Sequence, residues 1–394
     1  MILAFTLGIF FGVVAGLVPG VHINLIASLV LAGSTVLLDI FEPLDFAIFV
    51  VAMGVTHAFL ELVPSIFLGA PDDSSALVML PGHRMLHDGL GYDAVRFAVI
   101  GAFGCLAGTL VLMHVLFWAF PVISRLLRPV LGWLLLTLVV VLIAKEGKDW
   151  WKALLVFTAT GVLGFVVLNK LELEQPLLPL LSGLFGASSL MLALFERTTI
   201  PVQLEKYARL NGSEGAKGIL GGLLGGTLVT LFPGLGPGQA GALFTLAFKS
   251  TSRSYLVLIG GLHTADFLSS LVTLVTLGKA RNGALAVLNE ILTLAPHDLW
   301  LLGSIALAAG LLAAVLALLS AKCFAVLVEH VNYPLLSGAV LLFLVVFVTL
   351  LSGWQGLAVF AVSALLGMLA PRLKVSRAHA MGCLLVPTMT WYLW

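Results

Sequence analysis

Charge is what this sequence has least of. Asp, Glu, Lys and Arg make up 10% of its 394 residues, where a soluble domain carries roughly 25%. With 60% hydrophobic residues and a mean hydropathy of +1.14, a water-soluble globule has nowhere to put the apolar surface. The 20 Lys+Arg nearly balance the 19 Asp+Glu, so there is no basic reservoir for nucleic acid. Cysteine is scarce and odd in number. Cys105, Cys323 and Cys383 each sit in apolar sequence and offer neither a disulfide framework nor metal-ligand spacing. No Lys or Arg precedes Arg84, so the first apolar stretch lacks the basic start of a signal peptide and reads as a retained membrane segment. The phosphate-cradling pattern G-x-x-x-x-G-K-[ST] is missing as well, which excludes ATP consumption by this chain.

Long, continuous apolar stretches fill the sequence instead. They fall at about 1–17, 21–38, 45–69, 94–119, 127–144, 152–168 and 176–195, then at about 217–232, 235–248, 255–278, 298–319, 332–350, 354–370 and 379–393. A β-barrel is built from short alternating strands, so these predict an all-α polytopic membrane protein. The pairs 1–17/21–38 and 217–232/235–248 are shorter and broken by Pro-Gly, as re-entrant hairpins or as tilted crossings.

The two series resemble one another. Gly8, Gly12, Leu17, Pro19 and Gly20 match Gly222, Gly226, Leu231, Pro233 and Gly234 at a constant offset of 214. GVTHAFLE around His57 and Glu61 matches GGLHTADF around His263 and Asp266, and LGAPDDSSALVML (68–80) matches LGKARNGALAVL (277–288). Each unit holds a broken pair plus about five crossings. That odd total predicts two inverted-topology repeats, 1–195 and 217–394, joined by a cytoplasmic connection at 196–216. Placing the N-terminus outside puts most Lys and Arg on inner loops, Arg84, Lys145, Lys148, Arg209 and Arg253 among them. It leaves the outer turn at 39–45 acidic, in agreement with the positive-inside rule. The expectation is a multi-pass protein of the cell membrane with both termini extracytoplasmic.

Three features carry the candidate chemistry. The first is the pair of breaks, with Pro19, Gly20, His22 and Asn24 in one and Pro233, Gly234, Gly236, Pro237, Gly238 and Gln239 in the other. Proline removes a backbone donor and glycine permits unusual dihedrals, so a helix stops and restarts there. Non-helical backbone inside a bilayer lines a cavity or is buried in protein. The restarting helix aims its N–H groups and positive dipole end at that cavity, which suits an anion. The competing reading is a simple kink.

The second is His57/Glu61 with His263/Asp266, whose spacings of four and three share helix faces. Intramembrane ionisable groups mark an ion or substrate path by default, and these are the candidates for a coupling H⁺ or Na⁺. The third is the polar stretch 70–93, where Asp72, Asp73, Ser74, Ser75 and Arg84, with Arg281 from the other half, are candidates to gate the site. His83 and His87 resemble half a metal site that nothing completes, so no metal is expected. His297, His330 and His379 read as solvated loop residues.

These residues resemble a known family. LVPGVHIN and LFPGLGPG are similar to the paired Pro-Gly breaks of the TctA family, the large permease subunit of tripartite tricarboxylate transporters. FLGAPDDSSALVMLPGHRMLHDGLGYDAV and PLLPLLSGLFGASSLM resemble its loop and mid-chain blocks. RAHAMGCLLVPTMTWYL resembles the end of its shorter, archaeal-type members. The resemblance implies a secondary transporter for carboxylates, working with an extracytoplasmic binding protein and a small membrane subunit. This chain departs from the pattern in reading PGVHIN in its first break and in carrying Ser188 and Ser189 where an acid is usual.

The reading is therefore a non-enzymatic permease that transports small organic anions, di- or tricarboxylates, by cation-coupled alternating access, with no cofactor. The alternative is a translocase for a lipid-linked phosphate such as polyprenyl phosphate. An intramembrane enzyme built on Asp72, Asp73 or His83/His87 leaves the repeats unexplained.

Overall fold

A computed structural model describes residues 1–18, 23, 26–27, 30, 41–68, 79–173, 175–196, 201–203, 208–231, 241, 251–330 and 333–393. Every regular element among them is helical. In chain order they are α1 (Ile2–Leu17), α2 (Pro43–Leu60), α3 (Leu62–Phe67), α4 (Met79–His87), α5 (Gly91–Leu127), α6 (Leu131–Ala144) and α7 (Trp150–Asn169). Then come α8 (Leu177–Leu181), α9 (Ser188–Glu196), α10 (Gly212–Val229), α11 (Ser252–Leu277), α12 (Gly283–Ile291), α13 (Asp298–His330), α14 (Tyr333–Gly367), α15 (Leu369–Arg372) and α16 (Gly382–Leu393). Among the described residues, six helices are long and apolar enough to cross a membrane.

Local chemistry sets the helix ends. Pro43, with its fixed φ, opens α2 after the extended Glu42. Thr251 Oγ1 accepts from Ser254 N at 3.3 Å to start α11, and Gly278, at φ 62°, ends it in the left-handed conformation. Pro121 lies inside α5, which runs unbroken to Leu127, beyond the expected end near 119. Gly353 (φ 63°, ψ −165°) breaks α14 into two arms, at the boundary expected between 332–350 and 354–370. Both arms lie on the same stretch of chain: Leu344 and Val348 from one, Phe360 and Ala364 from the other, share a cluster with Ala187 and Leu190.

The helices sort by what they face. The most apolar window of 43–67 is wholly buried and that of Ser252–Leu277 is 94% buried, against 22% for Asp298–Val328 and for Ser337–Arg372. α13 and α14 therefore turn apolar side chains outward, as lipid contact requires. α2 and α11 form the centre and carry the ionisable groups.

Small residues bring these helices close. α1 packs on α2, and α10 on α11. A Cβ on Gly8 would lie 2.6 Å from Phe49 O, and one on Gly12 2.7 Å from Met53 O. On Gly222 and Gly226 it would lie 2.7 Å from Leu258 O and 2.7 Å from Leu262 O. Any side chain at these four positions would push the helices apart. The same carbonyl contacts thus recur with α1 and α10 matched at 214, and with α2 and α11 matched at 209. The sequence match of His57 with His263 implies 206 instead, so the packing register sets His57 opposite Asp266, about one turn away. α2 and α11 cross antiparallel, Gly54 beside the Phe267 ring and Glu61 beside His263.

The outer helices show a similar pairing. Gly164 of α7 abuts Cys383 O and Gly382 abuts Phe157 O; Gly367 of α14 abuts Leu184 O and Gly183 abuts Phe360 O. The segment that receives α14, Ser182–Ala187, is one π-helical turn between α8 and α9.

The connection between the two series is fastened down. Asp93 Oδ2 accepts from Ala208 N at 2.8 Å, and Arg96 donates to Ala208 O while pairing with Asp93 at 2.9 Å. Gln203 accepts from Gly91 N at 3.0 Å and donates to Leu86 O at 3.2 Å. One loop expectation fails. His379 is buried, with Nε2 2.9 Å from Glu146 Oε1, because the 3₁₀ turn 377–381 folds back against α7. His297 is exposed as expected.

Candidate functional site

The site begins with three side chains on the two central helices. His57 and Glu61 lie one turn apart at the end of α2, where the helix passes into α3. His263 comes from the middle of α11. Its Nδ1 is 2.5 Å from Glu61 Oε1, and His57 Nε2 is 3.3 Å from Glu61 Oε2. All three side chains are at least 94% buried, their exposures being 4% to 6%. A carboxylate so far from water costs several kcal/mol unless donors and counter-charge surround it; the two imidazole edges supply donors, and counter-charge once protonated.

Asp266 continues the cluster one turn along α11. Its Oδ1 accepts from Thr230 Oγ1 at 3.0 Å. Thr230 also donates to Gly226 O at 2.9 Å, so its hydroxyl ties the last turn of α10 to α11. Arg281, from the turn after α11, donates to Leu231 O at 3.2 Å. Partial burial lowers the pKa of this guanidinium from its ordinary value, against which Tyr392 and Asp266 hold it charged.

Two helix ends meet here. A Cβ on Gly16 would lie 3.1 Å from Glu61 N and 3.2 Å from His57 O, so α1 ends against the His57–Glu61 turn, one residue before Val18 and the first break. α10 ends at Thr230 and Leu231, against Asp266 and Arg281, immediately before the second break. The edges of both interruptions border one buried, ionisable cluster.

Of the candidates, His57, Glu61, His263 and Asp266 are thus brought together, with Arg281 at their margin. Arg84 is exposed on α4, outside the cluster. Pro19, Gly20, His22, Asn24, Pro233, Gly234, Gly236, Pro237, Gly238 and Gln239 lie outside the described residues, as do Asp72, Asp73, Ser74 and Ser75. Sequence reasoning missed Thr230. Its signal is a hydroxyl just ahead of a break, at the position where the 214 offset places Gly16 in the first unit. It also missed the seat of Ser189, whose hydroxyl Arg377 bonds.

The chain is 24% identical over 404 residues to an uncharacterized protein of Methanocaldococcus jannaschii, with 98% of each chain covered. No solved structure matches it significantly. A family model described as "Tripartite tricarboxylate transporter TctA family" matches residues 2–382, and with nearly all its length matched, this chain belongs to the TctA family.

Proposed function

We propose that this protein is the permease that carries small organic anions, di- or tricarboxylates, across the cell membrane by cation-coupled alternating access. One observation carries the reading: the edges of both Pro-Gly breaks border the same buried cluster of His57, Glu61, His263 and Asp266. An anion seated between the breaks would meet backbone N–H groups and two positive helix ends. Each dipole is worth only about half a charge, so a multivalent carboxylate needs more compensation. Arg281 supplies one full charge at Leu231, and a co-bound cation supplies the rest.

The proposal includes two inverted units, 1–195 and 217–394, joined by 196–216. Supporting it are the recurring glycine–carbonyl contacts and the antiparallel crossing of α2 and α11, the matched helices. Membership of a family belonging to a tripartite system supports an extracytoplasmic binding protein and a small membrane subunit as partners. Transport, rather than catalysis, is the activity.

The test is uptake of radiolabelled citrate, succinate and other carboxylates into proteoliposomes, with and without proton and sodium gradients. Accumulation that requires a cation gradient and is lost in Asn24→Ala, Gln239→Ala and Arg281→Gln is expected. Uptake indifferent to both gradients, or intact in all three variants, overturns the reading.

A further inference from the structure

The cluster's geometry bears on which cation it holds. Glu61 presents two carboxylate oxygens, and each already faces a ring nitrogen, His263 Nδ1 at 2.5 Å and His57 Nε2 at 3.3 Å. A hard cation such as sodium binds through several oxygens arranged around a point, as the hard divalent ions do. Here nitrogens occupy the carboxylate's near side. At Asp266, Oδ1 takes the Thr230 hydroxyl and Arg281 already contributes positive charge, which repels a metal cation. Among the described residues, no three His, Cys, Asp or Glu side chains converge as metal ligands do.

A proton needs none of this. Each imidazole has two nitrogens, and one per ring faces Glu61. A proton gained by either ring makes an imidazolium whose counter-ion is already in hydrogen-bonding position. Imidazole is also the side chain that changes charge between about pH 5 and 8. With neutral rings and an ionised Asp266, Glu61, Asp266 and Arg281 sum to one negative charge; one added proton brings the cluster to zero and a second to plus one. Proton uptake therefore turns the edge of both breaks from repelling an anion to accepting one.

The surroundings add little charge. Among the described residues, α1 and α3 carry no ionisable side chain. On α5, Cys105 contacts Gly261 and donates to Ile219 O, while Asp93 and Arg96 are engaged with Ala208. Arg84 of α4 and Glu290 of α12 are exposed. On α13, Asp298 binds Ala295 N and Lys322 lies over Tyr92.

We propose that His57, Glu61 and His263 hold the coupling proton of this permease and do not hold sodium. Its role as a coupling site rests on the transport reading, but its location is testable without substrate. Because Glu61 and His57 lie on α2 and His263 on α11, the proton also clamps the two central helices together. The clamp is present at low pH and is lost as rising pH discharges the rings.

Purified protein in lipid nanodiscs is melted across about pH 5 to 8, in sodium chloride and in potassium chloride of equal ionic strength. A His379→Gln, Asp266→Asn background removes the His379–Glu146 pair and the cluster's second carboxylate. The melting midpoint should fall with rising pH and be equal in the two salts. In Glu61→Gln and His263→Gln the fall should shrink to less than half. A flat profile in the background protein, or a pH slope surviving both substitutions, overturns the proposal. So does sodium-specific stabilisation of more than about 2 °C, the scale of a bound ligand's effect. Should Glu61→Gln not fold, His263→Gln and the comparison of salts still decide. No substrate is added, so failure here leaves the carboxylate reading standing, and a failed uptake assay leaves the melting result standing.

Discussion

Where α1 meets α2 and where α10 meets α11, the same device operates with different chemistry. In both places glycines spaced by four press against carbonyls of the neighbouring helix, Gly8 and Gly12 on Phe49 and Met53, Gly222 and Gly226 on Leu258 and Leu262. Matched by that packing, Glu61 of α2 stands where α11 has Ser270, and His263 of α11 stands where α2 has Gly54. The space that Gly54 leaves is filled by the ring of Phe267. The backbone frame is shared, and the titratable groups are assigned to one side or the other. A frame built from backbone contacts constrains few side chains, so each of these two junctions is left to carry its own polar positions.

Substitutions can break that comparison or sharpen it. The largest effect is expected from Glu61→Ala, which strands two buried imidazoles and should cost about 3–5 kcal/mol in chemical unfolding. Ser270→Ala, at the matched position, should stay within about 1 kcal/mol. Equal costs would mean that Glu61 is merely a packing residue. Next come Gly12→Ala and Gly226→Ala. The added methyl would lie 2.6 Å from Thr56 Cβ in one and 2.6 Å from Ala265 Cβ in the other, so each should lose about 1–3 kcal/mol. A loss confined to one of them would show that the two junctions are not the same device.

Thr230→Val removes the donor to Asp266 and should cost about 1–3 kcal/mol through the buried acceptor it leaves. It should also depress carboxylate uptake more than it depresses stability. The smallest effect belongs to the partly exposed pair Asp149–Lys152. Asp149→Asn there should change the melting midpoint by no more than a surface ion pair of about 0.2–1 kcal/mol allows, which sets the floor for reading the others.

Much of this was legible in the sequence, and the reasons are physical. Hydropathy marks helices directly because lipid demands apolar faces, so the crossings near 152–168, 255–278 and 298–319 correspond to α7, α11 and α13. The split at Gly353 could be read because a short polar interruption separates two apolar runs. α5 runs past the apolar stretch at 94–119 because a membrane helix tolerates proline, here Pro121, where neighbours satisfy the freed carbonyl. His57, Glu61, His263 and Asp266 stood out as ionisable residues in apolar surroundings, and the two histidines do share Glu61. Their register did not, since two short motifs containing His align most easily His to His, whereas packing is decided by glycines a helix away. His379 and Glu146 were unreadable for a similar reason: they are 233 residues apart, and no local periodicity links them.

The clasp at Ala208 has a mechanical corollary. Both backbone groups of that residue are gripped by the start of α5, and α10 begins four residues later. α10, with 18 residues, is about 27 Å long at 1.5 Å per residue, and its far end is Thr230 and the second Pro-Gly interruption. With Thr230 bonded to Asp266 and Leu231 to Arg281 at that far end, the rod is anchored at both extremities, so the distance between the clasp and the second interruption is set by the length of α10 itself.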